Sequence, residues 1–331
     1  MRRLALIILP ALALLIVACG GDSSADKSAL ESLPADTSFI LSARVADGLA
    51  DEDVGTAFGS FSADTTGGFG SLEEALASAR EQTGIDFAEV DGVVMAFGGA
   101  LLNQGGEVAS SEDETGLVMF VEGEFEREAV LTAFAAEEGA LTTTNYKGHE
   151  VVASDSGGVV FFRDDLLALG EAPTLRAVID VREGDAKPLS GPLLDTLDRS
   201  PPLAKAALTI PEGQLEEALA DDALDGLPFN FDALLGFHTL GFSLDKVESD
   251  FLTRVALNYP NVFDAAIGAA LLQSVVGLFE AFIPDPVVAA LLEKTSIGSS
   301  GSQVSIDLRF NVDEIEELAE GAETLGELLP I

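Results

Sequence analysis

Short stretches rich in β-branched and apolar residues, several alternating polar with apolar, punctuate the chain. They are Ser38–Val45, Val90–Phe97, Leu117–Glu122, Glu150–Ser154, Val159–Arg163, Leu203–Ile210, Leu235–Leu244, Phe251–Asn258 and Val304–Phe310. Such runs read as strands. Elsewhere the apolar spacing becomes helical. Ser71 with Glu74 forms a capping box opening a helix that Gly84 closes. Phe125–Glu138 is helical, with Gly139 as its stop. Asn261 with Asp264 caps a long apolar helix reaching Ile283, and Asp285-Pro286 starts another. Asn311 with Glu314 opens the last helix, whose Ile315, Leu318, Ala322 and Leu325 share a face. Strands in pairs, each pair followed by a helix, predict an α+β fold of antiparallel sheets with packed helices.

The pattern returns along the chain. The segment from Phe87 to Phe97 aligns with Phe231 to Phe242, matching Phe87 to Phe231 and Gly92 to Gly236. The stretch from Val159 resembles that from Ser305, and Ser38–Val45 corresponds to Leu203–Ile210, after Pro34 and Pro202 respectively. Two related halves are expected, 33–212 and 213–331. Asp47–Gly70 has a loop-like composition, and Asn103–Gly116 reads as a long hairpin loop.

Residues 1–18 have a different character. Arg2 and Arg3 precede an uncharged run from Leu4 to Ala18. As a helix that run spans roughly 22 Å, short of the roughly 30 Å hydrocarbon core. It suits a signal peptide better than a spanning anchor. Its last residues, Ile16-Val17-Ala18-Cys19, resemble the lipobox of bacterial lipoproteins, with Ile16 where that family prefers Leu. The resemblance implies a lipid thioether on Cys19, removal of residues 1–18, and an extracytoplasmic protein anchored to the bacterial cell membrane. Residues 19–32 are then expected to be a flexible tether. The mature part also resembles bacterial envelope lipoproteins in general style.

Composition narrows the function. The 331 residues carry 57 Asp plus Glu against 17 Lys plus Arg, a formal charge of -40. Nucleic acid is excluded as a partner because its phosphates need a basic stripe. A single Cys excludes an internal disulfide, and two His leave no transition-metal site of the usual kind. No metal and no cofactor are expected. Asp155-Ser156-Gly157-Gly158 is similar to the nucleophile loop of chymotrypsin-like proteases, but both flanks differ and the upstream His setting is missing. It reads as a hairpin turn, and no catalytic residue is assigned. His149 reads as a solvated residue at a strand start, and His238 as a sheet histidine. Asp51-Glu52-Asp53, Glu112-Asp113-Glu114 and Asp221-Asp222 with Asp225 match no calcium loop. These acids read as solvated surface, as do Glu122, Glu124, Glu126 and Glu128.

The helix from Asn261 bears most on function. Its longest uncharged run, Ala265–Phe279, is too short to span a bilayer. Ile267, Leu271, Val275, Leu278 and Phe282 fall on one side, and Ala266, Ala270, Gln273 and Gly277 on the other. If the helix packs on a sheet, Leu271 is core; if it lines a ligand cleft, water reaches Leu271. The expected function is that of a lipid-anchored, non-catalytic binding or interaction protein. The alternatives are a carrier of a lipid or other apolar ligand in a sheet–helix cleft, and an unrecognised extracellular hydrolase with convergent carboxylates. Its partners are the membrane, through Cys19, and an apolar ligand or an envelope protein.

Overall fold

The computed structural model describes residues 24–51, 53, 54, 56, 72–98, 116–154, 157–198, 204–211, 236–282 and 292–314. The chain mixes helices with antiparallel strands and divides into two compact units.

In the first unit the strands are β1 (Thr37–Ala43), β2 (Val90–Gly98), β3 (Leu117–Gly123), β4 (Thr142–Tyr146), β5 (His149–Ala153), β6 (Gly158–Arg163) and β7 (Leu166–Gly170). They lie in the order β1-β2-β3-β7-β6-β5-β4, with every neighbouring pair antiparallel. Every residue of β3 is buried, so helices and loops cover both faces of the sheet at its centre. Its helices are α1 (Ser24–Leu30), α2 (Val45–Leu49), α3 (Leu72–Thr83), α4 (Arg127–Glu138) and α5 (Ala172–Arg182). Both stops read from sequence hold, since Gly84 and Gly139 have positive φ and donate to carbonyls four residues back. Ser71, the expected cap of α3, lies outside the described residues.

The described part of the expected tether, residues 24–32, is packed chain. Residues 24–30 form α1, and Ala29, Leu30 and Leu33 are buried. Arg182 fixes the end of this segment: its Nη1 donates to Ser32 Oγ at 2.8 Å, while its guanidinium lies 4.4 Å over the Phe162 ring. Apolar spacing at 29, 30 and 33 supplies a buried stripe that a tether lacks.

The second unit contains α6 (Pro192–Asp198), β8 (Ala204–Thr209), β9 (Thr239–Val247), β10 (Asp250–Asn258), α7 (Val262–Phe282), β11 (Thr295–Ser300) and β12 (Gln303–Phe310). Its strand order is β8-β9-β10-β12-β11. The observed division falls near residue 190, not at 212, because α6 packs on β9 and β10 and β8 pairs with β9. Both units run through three successive neighbouring strands, then a helix, then further antiparallel strands, four in the first unit and two in the second, of which the last pairs with the third strand. The alignment of Val159 with Ser305 is therefore displaced by one strand. In position β12 matches β7, while Val159 belongs to β6.

Two caps have the geometry their sequences imply. Asn261 Oδ1 accepts the backbone N–H of Phe263 and of Asp264 at 3.0 and 3.1 Å. Asn311 and Glu314 bond each other's backbone N–H reciprocally, each at 3.0 Å. The helix expected from Asp285 and the face of Ile315, Leu318, Ala322 and Leu325 lie outside the described residues.

Candidate functional site

The sheet of the second unit has two unlike faces, because side chains alternate along each strand. One face is polar and small. On it Thr239, Ser243 and Asn258 are buried. Asn258 Nδ2 donates to Thr196 Oγ1 of α6 at 2.7 Å, and Arg254 grips Asp307 through two bonds of 2.5 and 3.0 Å. The other face is apolar and stacks in rows across the strands. Leu240, Leu257 and Val304 form the first row, and Phe242, Val255, Ile306 and Ile297 the second. Leu244, Thr253 and Leu308 form the third.

Helix α7 packs on β11 and β12 and closes the first row. There Leu257, Tyr259, Ala265, Ala269 and Val304 form a buried cluster, with Leu272 and Ile297 packed against it. The second and third rows stay half-exposed, and Phe242 is 46% exposed.

The helix buries neither of the two sides read from sequence: Ala266, Ala270, Gln273 and Gly277 are exposed, and so is Ile267. Ala265, Gly268 and Ala269 face the sheet. A Cβ on Gly268 would sit 2.7 Å from Cζ of Tyr259, so only glycine lets the helix come this close. Burial and the nearby Asp264 carboxylate push the Tyr259 hydroxyl up to about 12. Large residues point outward: Phe263 is 82% exposed, Val262 58% and Ile267 50%. Leu271 is half-buried. The expected large-residue side is therefore not the buried one, because close backbone packing favours small side chains. All five exposed large hydrophobics among the described residues, Phe242, Val247, Val262, Phe263 and Ile267, belong to the second unit.

Other expected residues fall as follows. Cys19 and the clusters at 112–114 and 221–225 lie outside the described residues. Ser154 and Gly157 close the β5–β6 turn through Ser154 N–H to Gly157 O at 2.8 Å, which agrees with the turn reading; Asp155 and Ser156 lie outside the described residues. Asp51 Oδ1 accepts the N–H of Asp53 and of Val54, closing a local turn. His149 does begin β5 but is not simply solvated. Its Nε2 lies 3.0 Å from Glu183 Oε1, and its ring meets Phe162 edge to face at 5.4 Å. His238 is half-buried, its backbone bonded to Asn258 and Ile210. Among the described residues, no three His, Cys, Asp or Glu could hold a metal ion.

Glu124, Glu126 and Glu128 are exposed as their surface reading expects, but Glu122 is not. It is 8% exposed and pairs with Arg163 at 2.9 Å. Burial pushes its carboxyl above the usual range despite Arg163, and its Oε2 has no partner. The cavity beside it, about 10 Å³, has room for about one water and none for a substrate.

Comparison with known proteins is sparse. No family model matches, and no curated protein matches. Among the described residues no helix is long and apolar enough to cross a membrane. Similar solved structures include crystal form IV of TP0453, at 12% identity and a TM-score of 0.48, covering 90% of this chain and 98% of that one. Crystal form III, at 10% identity and 0.47, covers 88% and 97%. At TM-scores below 0.5 the likeness supports no statement about role.

Proposed function

We propose that the chain is a lipid-anchored, extracytoplasmic, non-catalytic binding protein that engages an envelope protein through the apolar side of its second unit. The observation that carries this reading is the exposure of Phe242 on the apolar face of the sheet, together with Val262, Phe263 and Ile267 on the helix packed against that face, in a strongly acidic protein. Exposed apolar groups that gather in this way mark contact surfaces. Anchoring rests on Ile16-Val17-Ala18-Cys19. The second reading, a carrier of a lipid or other apolar molecule, draws on the half-exposed rows of Phe242–Ile297 and Leu244–Leu308 beside α7.

Native mass spectrometry of the protein gently extracted from membranes tests both. A bound protein supports the first reading, and a bound small apolar molecule supports the second. Bare, unacylated protein starting at a residue other than Cys19 overturns the anchor as well. Cys19→Ser should abolish acylation, since the thiol is the acceptor.

A further inference from the structure

The first unit holds a cleft of about 430 Å³ at one end of its sheet, a volume within the range of small-ligand sites. Four neighbouring strands end there. Thr37 of β1 pairs with Gly98 of β2, and Gly98 N–H donates to Gly116 O just before β3 at 3.1 Å. Gly170 of β7 pairs with Val118, and Glu171 follows it. The two inner strand ends thus carry glycine, while the outer two carry Asp36 and Glu171. A Cβ built on Gly98 meets only Asp36 Oδ2, at 3.9 Å, so the missing side chain leaves open space without being required by backbone strain.

The chemistry of the walls is one-sided. Asp36 and Glu171 line the cleft, and neither carboxylate has a hydrogen-bond or ion-pair partner among the described residues. Glu171 stands at the N-cap of α5 but makes no side-chain cap bond, and Pro173 removes one N–H from the first helical turn. That turn therefore competes weakly for the carboxylate. Among the described residues the lining contains no Lys, Arg or His, and its remaining surface includes the apolar Phe97, Val118 and Ala177. An apolar wall facing unpaired carboxylates suits a group with a positive end and an aliphatic stem. The charge of -40 raises the local concentration of such cations further.

We propose that this cleft binds an alkylammonium group, its cation drawn to the Asp36 and Glu171 carboxylates at the outer strand ends and its stem lying along Phe97. The group could be supplied by a free polyamine or by a lysine side chain of a peptide. This site is separate from the apolar surface of the second unit, so either can fail without the other.

The test is NMR titration of the isotope-labelled mature protein with n-hexylamine, with hexanoate as the charge-reversed control. Saturable shifts at the amides of Gly98, Gly116 and Thr174 are expected with the amine alone. Asp36→Asn and Glu171→Gln should each weaken binding about tenfold, the loss of one charge-assisted hydrogen bond. Gly98→Leu should abolish it by filling the space, and Glu293→Gln, in the second unit, should leave it unchanged. Parallel titrations with spermidine and with the peptide Gly-Lys-Gly separate the two sources by which binds tighter. Equal response to hexanoate, or amine binding that survives both carboxylate substitutions, overturns the proposal. Failure of all three amines to shift these amides overturns it equally.

Discussion

Gly268 and Gly277 lie on the same helix, yet replacing each with alanine should have opposite effects. Either change gains about 1 kcal/mol of helix propensity. At Gly277 nothing lies within 4 Å of the added Cβ, so that gain should appear as added stability. At Gly268 the Cβ would stand 2.7 Å from Tyr259 Cζ, far inside the roughly 3.5–4.0 Å at which carbons attract. Tyr259 is buried, so either its ring or the helix must shift to admit the methyl group. Overpacking of this kind costs about 1–3 kcal/mol. Because propensity cancels between the variants, their difference isolates the packing cost. Gly268→Ala should be about 1–3 kcal/mol less stable than Gly277→Ala. Urea unfolding followed by circular dichroism measures the difference, and hydrogen exchange of α7 peptides assigns the transition to this helix. Equal stabilisation by both substitutions would refute the packing of small residues against the sheet.

Three further outcomes follow from the same geometry. Leu272→Ala should destabilise more than Leu271→Ala, because Leu272 packs on the Leu257–Val304 cluster; the reverse order in urea unfolding would turn the helix over. The Tyr259 hydroxyl is raised to about 12, so the fold favours its protonated form, and stability should fall as pH rises from about 10, the ordinary tyrosine value, towards 12. Unfolding measured across that range should show the decline, and Tyr259→Phe should lessen it. The Glu122 carboxyl is also raised, so its contribution is largest below its ordinary value of 4.5 and is lost as pH rises through its folded value. Glu122→Gln should remove that dependence without loss of stability near pH 7, and a marked loss there would show that the Arg163 pair outweighs the burial cost.

Where local chemistry decides structure, the sequence was readable. Asn261, Asn311, Gly84 and Gly139 act on backbone groups a few residues away, and each sits at the helix end its type implies. Three strands escaped the reading for a different reason. β4 (Thr142–Tyr146) and β11 (Thr295–Ser300) are mostly exposed edge strands of polar residues, so neither shows an apolar alternation. β7, Leu166–Gly170, is a short apolar run with no period. Helix α5 was legible but overlooked, since Pro173 opens it and Leu175, Val178 and Ile179 share its buried face. The orientation of α7 was hidden because apolar residues occur on both of its sides, and the choice between them lies in the fit of Gly268 to Tyr259. The cleft was hidden too. Strand pairing alone brings Asp36, Gly98, Gly116 and Glu171 to one end of the sheet, from positions far apart in the chain.

The claim that the apolar side of the second unit is a contact surface is tested most directly by Phe263→Ser combined with Ile267→Ser. These side chains are exposed, so the double variant should unfold within about 0.5 kcal/mol of the unmodified protein, the usual range for surface changes. At the same time, native mass spectrometry of the membrane-extracted variant should show loss of whatever the unmodified protein carries. A variant that unfolds several kcal/mol more easily would place both residues in a core, and one that keeps its bound partner at full occupancy would contradict the assignment of this surface.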